Sequence, residues 1–402
     1  MRYGLAFALF LGAVLAAPVL AQQPMRAPEP GQGRLQADRI RYDARNGVFE
    51  ARGNVRLVLG DVTVTGEALT YHERTRTAWA EGNARVVQGP TTLSAPSIRY
   101  EATPRVVHAS GGVVVQQPDL ILRAGQLTYG LQDQAVKASQ EVAVEQPDQT
   151  LRARELTYRV RERVADASGS VRLETKDSTL EGEAMWADLA KKEARVRGPA
   201  RLVRKGGPPP RGREQDRVLA ALAKEDTTIT ASRAFWFAWQ QTNEARAEGE
   251  VRIVQVDKEA RAEEARYSEK EDRIELVGKA EVHQRSGQWL VRERLVRAPE
   301  TEEERKALET PATIQADRIV IYLSTRDAVA TGNVRVTQGK RSATGERAEY
   351  DDRNGIILLV GRRARMERED GAWLLAERVV VSLKEDTFEA YGAVDTTFPV
   401  RP

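Results

Sequence analysis

From Leu35 onward the chain alternates between apolar and polar positions. In EARGNVRL, Ala51, Gly53, Val55 and Leu57 fall on one side of an extended backbone, and Arg52, Asn54 and Arg56 on the other. Ala330, Gly332, Val334 and Val336 stand against Thr331, Asn333 and Arg335 in the same way. One small, apolar face and one water-facing face predict half-buried β-strands. A second phrase has the same period with a break in it. In LQADRIRY, Leu35 and Ala37 are odd but Ile40 and Tyr42 even, and Leu122/Ala124 followed by Leu127/Tyr129 repeats the change of parity. A bulge or bend at the middle of each such strand keeps both pairs on the inner side. Turn signals such as Arg45-Asn46-Gly47, Gln88-Gly89-Pro90 and Arg353-Asn354-Gly355 stand between phrases, so each pair of phrases predicts one antiparallel strand pair.

The phrases return at a fixed distance. The first ends at Tyr42, Tyr71, Tyr100, Tyr129 and Tyr158, each 29 residues after the last, and a sixth copy, LEGEAMWA, puts Ala187 at that place. After an interruption it resumes with Trp236, Tyr267, Arg297, Ile321, Tyr350 and Val381, which makes twelve copies. The second phrase follows in eleven of them, usually with a glycine at its centre, as at Gly53, Gly82, Gly111, Gly169, Gly332 and Gly392. The ninth copy, LVRERLVR, lacks it, and residues 298–310 read instead as a helical excursion. The prediction is an all-β chain of about 23 strands in about twelve strand-pair repeats of 29 residues. Residues 205–226 interrupt it: Gly206-Gly207-Pro208-Pro209-Pro210 breaks a sheet, and EQDRVLAALAK at 214–224 predicts a short helix. The two β segments are then 33–204 and 227–402, joined by the 205–226 linker.

Strands bent at their middles contribute to two facing sheets and stack into an elongated, folded-over trough, with the sheets about 10 Å apart where side chains fill the gap. The inward positions name its lining: Ile40, Tyr42, Val55, Leu57, Leu69, Tyr71, Val113, Val115, Leu127, Tyr129, Val171, Leu173, Val251, Ile253, Ile319, Val334 and Val336. Ala and Gly recur at the centres of the second strands. Two interiors remain open on this reading, a continuous apolar channel or a dry core in which large residues close over the small ones.

Composition excludes several classes of function. There are 62 basic and 59 acidic residues, for a net charge of +3, and they are interspersed as on a solvated surface rather than gathered into a nucleic-acid-binding stripe. The absence of cysteine excludes disulfides, thiolate zinc sites and thiol nucleophiles. His72, His108 and His283 lie in different repeats, and adjacent acids such as Glu263-Glu264 alternate faces rather than forming a dyad. No metal, cofactor or enzymatic activity is expected. A transmembrane barrel needs an outward apolar band, whereas the face opposite Ala, Gly and Val is dense in Arg, Glu and Asn. Residues 1–21 read as a secretory signal, with Arg2, an apolar run over 5–17, and Val19 and Ala21 before the cut. An uncleaved anchor in the inner membrane is the alternative. Export without cysteine suits a bacterial periplasm. Arg201, Arg204 and Lys205 open a basic run and are candidates for contact with anionic headgroups.

LQADRIRYDARNGVFEARGNVRLV at 35–58 and IQADRIVIYLSTRDAVATGNVRVTQG at 314–339 resemble the recurrent phrase of the OstA-like, LptA-type lipopolysaccharide-transport family, an A-D-x-(I/V) strand followed by T-G-N-V-x-V-T-Q-G. The similarity is repeat-wide, and the Pro/Gly insertion between the segments departs from the family pattern. The resemblance implies a bent antiparallel β-jellyroll, or β-taco, that shields acyl chains of lipopolysaccharide or another envelope lipid inside its V. It also implies docking with similar trough domains of inner- and outer-membrane transport proteins. The two unlike open edges of such a trough predict head-to-tail self-association as well. The expected function is a periplasmic carrier or bridge moving lipid towards the outer membrane. The alternative is a structural or adhesive β-solenoid that transports nothing.

Overall fold

The computed structural model describes residues 33–208, 217–239, 243–295, 297–382, 385 and 387–397; residues 1–21, read as a signal, lie outside it. The described chain divides into two compact units. One runs to Lys176 and takes Leu180–Arg197, and the other takes Asp177–Thr179 and the chain from Gly198.

The first unit is built from β1 (Arg34–Gln36), β2 (Arg39–Asp43), β3 (Val48–Leu59), β4 (Val62–His72), β5 (Thr77–Gln88), β6 (Thr91–Glu101), β7 (Val106–Gln117), β8 (Leu120–Gly130), β9 (Ala135–Gln146), β10 (Gln149–Arg159), β11 (Val164–Thr175), β12 (Ser178–Asp188) and β13 (Glu193–Arg197). The second contains β14 (Ala200–Arg204), α1 (Arg217–Ala223), β15 (Thr227–Ala231), β16 (Ala234–Ala238), β17 (Glu244–Gln255), β18 (Lys258–Ser268), β19 (Arg273–Gln284), α2 (Gln288–Arg292), α3 (Glu302–Glu309), β20 (Ala312–Tyr322), β21 (Ala328–Gln338), β22 (Arg341–Asp351), β23 (Ile356–Glu367), β24 (Trp373–Ser382), β25 (Thr387–Tyr391) and β26 (Asp395–Thr397). Within each unit the long strands pair antiparallel with their neighbours in sequence, as β3 does with β4 and β4 with β5, or β20 with β21 and β21 with β22. Each unit is a bent antiparallel β-jellyroll, the architecture that the two phrases predict.

The bend has one recurring construction. Between β3 and β4, Arg52 faces Ala68 and Val55 faces Gly66, so Gly53 and Asn54 stand against Glu67 alone. Both extra residues adopt positive φ, +73° and +46°, and Gly332 and Asn333 repeat this at +76° and +48°. A clamp holds the corner. The Asp38 N–H donates to the Gly53 carbonyl at 2.9 Å, and the Asn54 amide donates to the Asp38 carboxylate at 3.0 Å. Asn333 binds Asp317 in the same way at 2.9 Å, and Asn83 reaches Glu67 at 3.3 Å. The A-D and G-N letters of the repeated phrase are the two halves of this clamp.

That geometry corrects the placement of the glycines. Period-two counting puts Gly53 on the inner face, but a Cβ there would stand 2.2 Å from the Asp38 carboxylate on the exposed side, and one at Gly332 would stand 2.2 Å from Asp317. These glycines make the corner rather than the floor of a channel. The floor belongs to buried neighbours such as Ala51 and Val55.

A second correction concerns the ninth copy. LVRERLVR forms no strand; α2 and the loop after it occupy this stretch, and β19 pairs directly with β20 from Arg273↔Tyr322 to Gln284↔Ala312. The reason is visible in the letters, because Arg292 and Arg297 occupy the places where other copies carry inward Ala and Tyr, and burying a guanidinium there would be costly. Both stay in water, where Arg292 pairs with Glu225 and Arg297 with Glu300. The excursion predicted over 298–310 contains α3. There Thr301 accepts the Glu304 N–H at 3.1 Å, and the Glu304 carboxylate accepts the Thr301 N–H in return, closing a capping box. Four bent strands are each cut in two at the corner, so the 26 described segments make 22 bent strands, one fewer than the repeat predicts.

Gly332→Ala should lower stability by about 1–3 kcal/mol, because it adds both positive-φ strain and a clash with Asp317. Gly207→Ala, with nothing within 4 Å of the new methyl, should change stability by less than about 0.5 kcal/mol. Urea unfolding followed by far-ultraviolet circular dichroism checks both, and equal midpoints for the two variants would sink the corner clamp.

Candidate functional site

The residues just inside each corner form an apolar floor, and the two arms of every strand rise from it towards the turns. In the first unit the arms stand apart over the early strands. A cavity of about 120 Å³ lies between them, with Leu57, Leu59, Val62 and Gln88 on one arm and Tyr100 and Val107 on the other. Over β8 to β11 the same space is filled. Leu122, Leu127, Leu151 and Leu156 are buried, and Tyr129 and Tyr158 are only 3% exposed. Burial, with Asp133 adding to it, pushes the Tyr129 hydroxyl up to about 12. Burial raises Tyr158 also.

The second unit has the opposite order along the chain. Over β15 to β19 the interior is dry, with Phe235, Ile253, Ile274 and Leu276 among its fully buried side chains. From β20 to β24 it opens into a cavity of about 140 Å³ lined by Ile314, Ile319, Val336, Leu359, Met366 and Val381, to which Gly287 and Leu308 contribute from the helical insert. Both interiors that the sequence left open therefore occur, in different repeats.

The predicted lining residues divide accordingly. Leu57 and Leu69 border the first cavity, and Ile319 and Val336 the second. Val55, Val113, Leu127, Tyr129, Val171, Leu173, Val251, Ile253 and Val334 are buried in close packing. Tyr71 and Val115 are half-buried. Ile40 and Tyr42 are about half exposed, at 50% and 47%, because β2 pairs with β3 and nothing described covers its other side. Tyr42 stacks on Phe49 at 4.2 Å and donates to Glu73 at 3.1 Å. Among the basic candidates, Arg201 and Lys205 are exposed. Arg204 is half-buried, and its desolvation lowers its pKa against the opposing pull of Asp177.

The period also contains a row that the sequence reading passed over. Gln88, Gln117, Gln146, Gln255, Gln284 and Gln338 each end a second-phrase strand, and Thr91, Gln149 and Thr227 begin first-phrase strands. Gln117 donates to Thr91 at 3.0 Å, Gln149 to Gln146 at 2.9 Å and Gln255 to Thr227 at 3.0 Å. Gln88 lines the first cavity, and Gln284 and Gln338 line the second. Along this rim the interior changes from apolar to polar. The signal was available as Gln recurring 29 residues apart at 88, 117 and 146.

In that row β18 begins with Lys258, which is 2% exposed. Its ammonium lies 3.8 Å from the centroid of the Trp289 ring and 3.8 Å from Asp257. Burial brings its pKa down to about 8, with Asp257 opposing, and burial also holds the Asp257 carboxyl above its ordinary range. The helices of the two inserts close over this point. Leu222 of α1 and Trp289 of α2 share one buried cluster, the Gln255 amide donates to the Leu222 carbonyl at 3.0 Å, and Arg217 donates to the Arg294 carbonyl at 2.7 Å. On the outer face, Glu259 accepts hydrogen bonds from Arg252 and Arg261, with Arg252 the stronger influence, which holds it down to about 2. Among the described residues no cluster of three or more His, Cys, Asp or Glu could hold a metal ion. No described helix is long and apolar enough to cross a membrane.

Repeated bent strands with a charged outer face and apolar space between their arms define a β-jellyroll trough. Residues 64–193, in the first unit, match the family described as LptA/(LptD N-terminal domain) LPS transport protein. Residues 251–367, in the second, match the family described as lipopolysaccharide-assembly, LptC-related. The chain belongs to the OstA-like lipopolysaccharide-transport family of transport and binding proteins, whose LptA- and LptC-like domains are periplasmic. Comparison with curated proteins gives no match. Among solved structures, the chain is similar to LptH, the LptA-homologous periplasmic component of the lipopolysaccharide transport device of Pseudomonas aeruginosa, at 25% identity over 27% of this chain and 82% of that one, with a TM-score of 0.26. The WD40 domain of SCAP from fission yeast aligns at 8% identity over 93% and 90% of the two chains, with a TM-score of 0.12.

The buried lysine has a signed consequence for stability. The folded state releases the Lys258 proton near pH 8, whereas the unfolded chain holds it to about pH 10.4. Between those values the unfolded state binds more protons, so this group makes stability rise with pH, by at most about 1.4 kcal/mol per pH unit. Lys258→Met should flatten that part of the profile. Urea midpoints measured from pH 7 to 10.5 check it, and parallel profiles for the two proteins would show that Lys258 titrates as if exposed.

Proposed function

We propose that the chain is a periplasmic lipid carrier that holds acyl chains of lipopolysaccharide, or of a similar anionic envelope lipid, between the arms of its two jellyroll units. Residues 33–204 and 227–402 are its two trough segments, and residues 1–21 its export signal. The observation that carries the reading is the second cavity, apolar over nearly all its lining and ending at a row of glutamines. Such a site suits a ligand with a hydrocarbon part to bury and a polar part to leave in water. Each buried methylene contributes about 0.8 kcal/mol, and nothing in the cavity is arranged for bond-making. Direction comes from a partner.

The partners are similar trough domains of inner- and outer-membrane transport proteins, met at the terminal strands. Among the described residues β1 and β2 pair with β3 alone, and β25 and β26 with β24 alone. Ile40 and Tyr42 are exposed at one edge, and Phe388 and Tyr391 at the other. Unlike edges pair heterologously and need not close, which suits a chain of troughs.

A photoreactive amino acid at Leu57 or Val336 should capture purified lipopolysaccharide, and one at the outward Arg56 or Arg335 should not. Equal capture on both faces would overturn the carrier reading, and no capture at the inward positions leaves the scaffold. Sedimentation should show concentration-dependent association that Phe388→Glu with Tyr391→Glu abolishes. A strict monomer that also ignores isolated trough domains would count against the bridge.

A further inference from the structure

The cavity of the second unit has an unusual end wall. Most turns at this level are closed by two residues, as by Gly60 and Asp61 between β3 and β4, but between β19 and β20 residues 285–311 stand in that place. The capping box at Thr301 sets where α3 begins, and near its other end Leu308 is buried against the cavity. The Gly287 N–H donates to the Leu308 carbonyl at 2.6 Å, which ties the end of α3 to the start of the insert. Trp289, two residues on, is packed with Leu222 over Lys258. The insert is thus held in place at both ends, by Gly287 with Leu308 and by Trp289.

Behind this roof there is no room. Ile274 and Leu276 on β19 and Ile253 on β17 are fully buried, and Ala280 and Val282 nearly so. Ahead of it the inner side chains are half-exposed, among them Val336, Tyr350, Ile357, Met366 and Val381. The volume, about 140 Å³, is close to that of an engineered apolar cavity of ~150 Å³ that stays dry and accepts benzene. It holds the end of a chain rather than a bundle of chains.

Resting on the carrier reading, we infer that this cavity is a blind pocket for acyl-chain ends, entered and left from the β22–β24 side, with Leu308 as the residue that stops the chain. A lipid in this unit would be held by its tail tips against α3 and would not slide on towards β17. The roof then acts on chain length: chains long enough to reach Leu308 fill the pocket, and longer ones must leave methylenes at the open side.

The test uses the full chain with a photoreactive leucine analogue at Met366 (open side), Ile314 (beneath the roof) or Leu276 (behind it), and fluorescent lipopolysaccharide as the probe. Capture is expected at Met366 and Ile314 and not at Leu276. Leu308→Trp, which fills the pocket, should cause a severalfold loss of capture at Ile314 and leave Met366 unchanged. Leu308→Met, which nearly conserves volume, should restore capture at Ile314, and circular dichroism melts confirm that both variants are folded. Capture at Leu276 equal to that at Ile314, or capture at Ile314 indifferent to Leu308→Trp, would overturn the blind pocket while leaving the carrier reading intact. No capture at any of the three positions would remove the carrier reading, and the inference with it.

Discussion

The corner in the middle of each strand is the constraint on which the rest depends. A sheet with one apolar face needs something to cover that face, and here each strand turns back over itself to do so. In most second-phrase strands the corner contains two consecutive residues at positive φ, accessible at Gly53-Asn54 or Gly332-Asn333 because glycine carries no Cβ and asparagine tolerates the left-handed region. The ladder bonds lost at the corner are partly restored by the Asp38 N–H to the Gly53 carbonyl and the Glu377 N–H to the Gly392 carbonyl. The clamping carboxylates and amides lie in water on the outside. The corner is thus held from the outer side, and the inner positions away from the floor vary in size from repeat to repeat.

That variation explains how one architecture contains both dry and open stretches. Val62 and Val64 on β4 border space, whereas Leu120 and Leu122 at the matching places of β8 are buried in a filled interior. Tyr100 lines the first cavity, while Tyr129 and Tyr158, one and two repeats later, are enclosed. A methylene or two per repeat, multiplied along neighbouring strands, decides whether the arms meet.

Much of this was legible in the letters. Period-two alternation, the 29-residue return and the parity break at Ala37/Ile40 predict paired, bent strands, because strand direction and side-chain face are local properties. Three things a simple continuation of the pattern does not give. Gly53 looks inward only if alternation is carried through a corner that does not keep it. The ninth copy matches the phrase in its leucines, yet Arg292 and Arg297 forbid a strand; this was readable, but only by asking which face each arginine would take. The enclosure of Lys258 was beyond reach, because it depends on Leu222, Asp257 and Trp289 from separate segments meeting at one rim, and no local pattern encodes that meeting.

On the carrier reading, limited space serves release as much as binding. A chain end that buries about five methylenes gains on the order of 4 kcal/mol, equivalent to a dissociation constant near 1 mM for that chain alone. A continuous apolar channel would gain that amount again with every few methylenes and would hold its ligand too tightly to pass it on. The filled repeats β15–β19, with Ile274 and Leu276 fully buried, keep the second unit from becoming such a channel. A trough that is open for a few repeats and dry for the next holds lipid loosely and in one place, which is the condition for handing it to a neighbour.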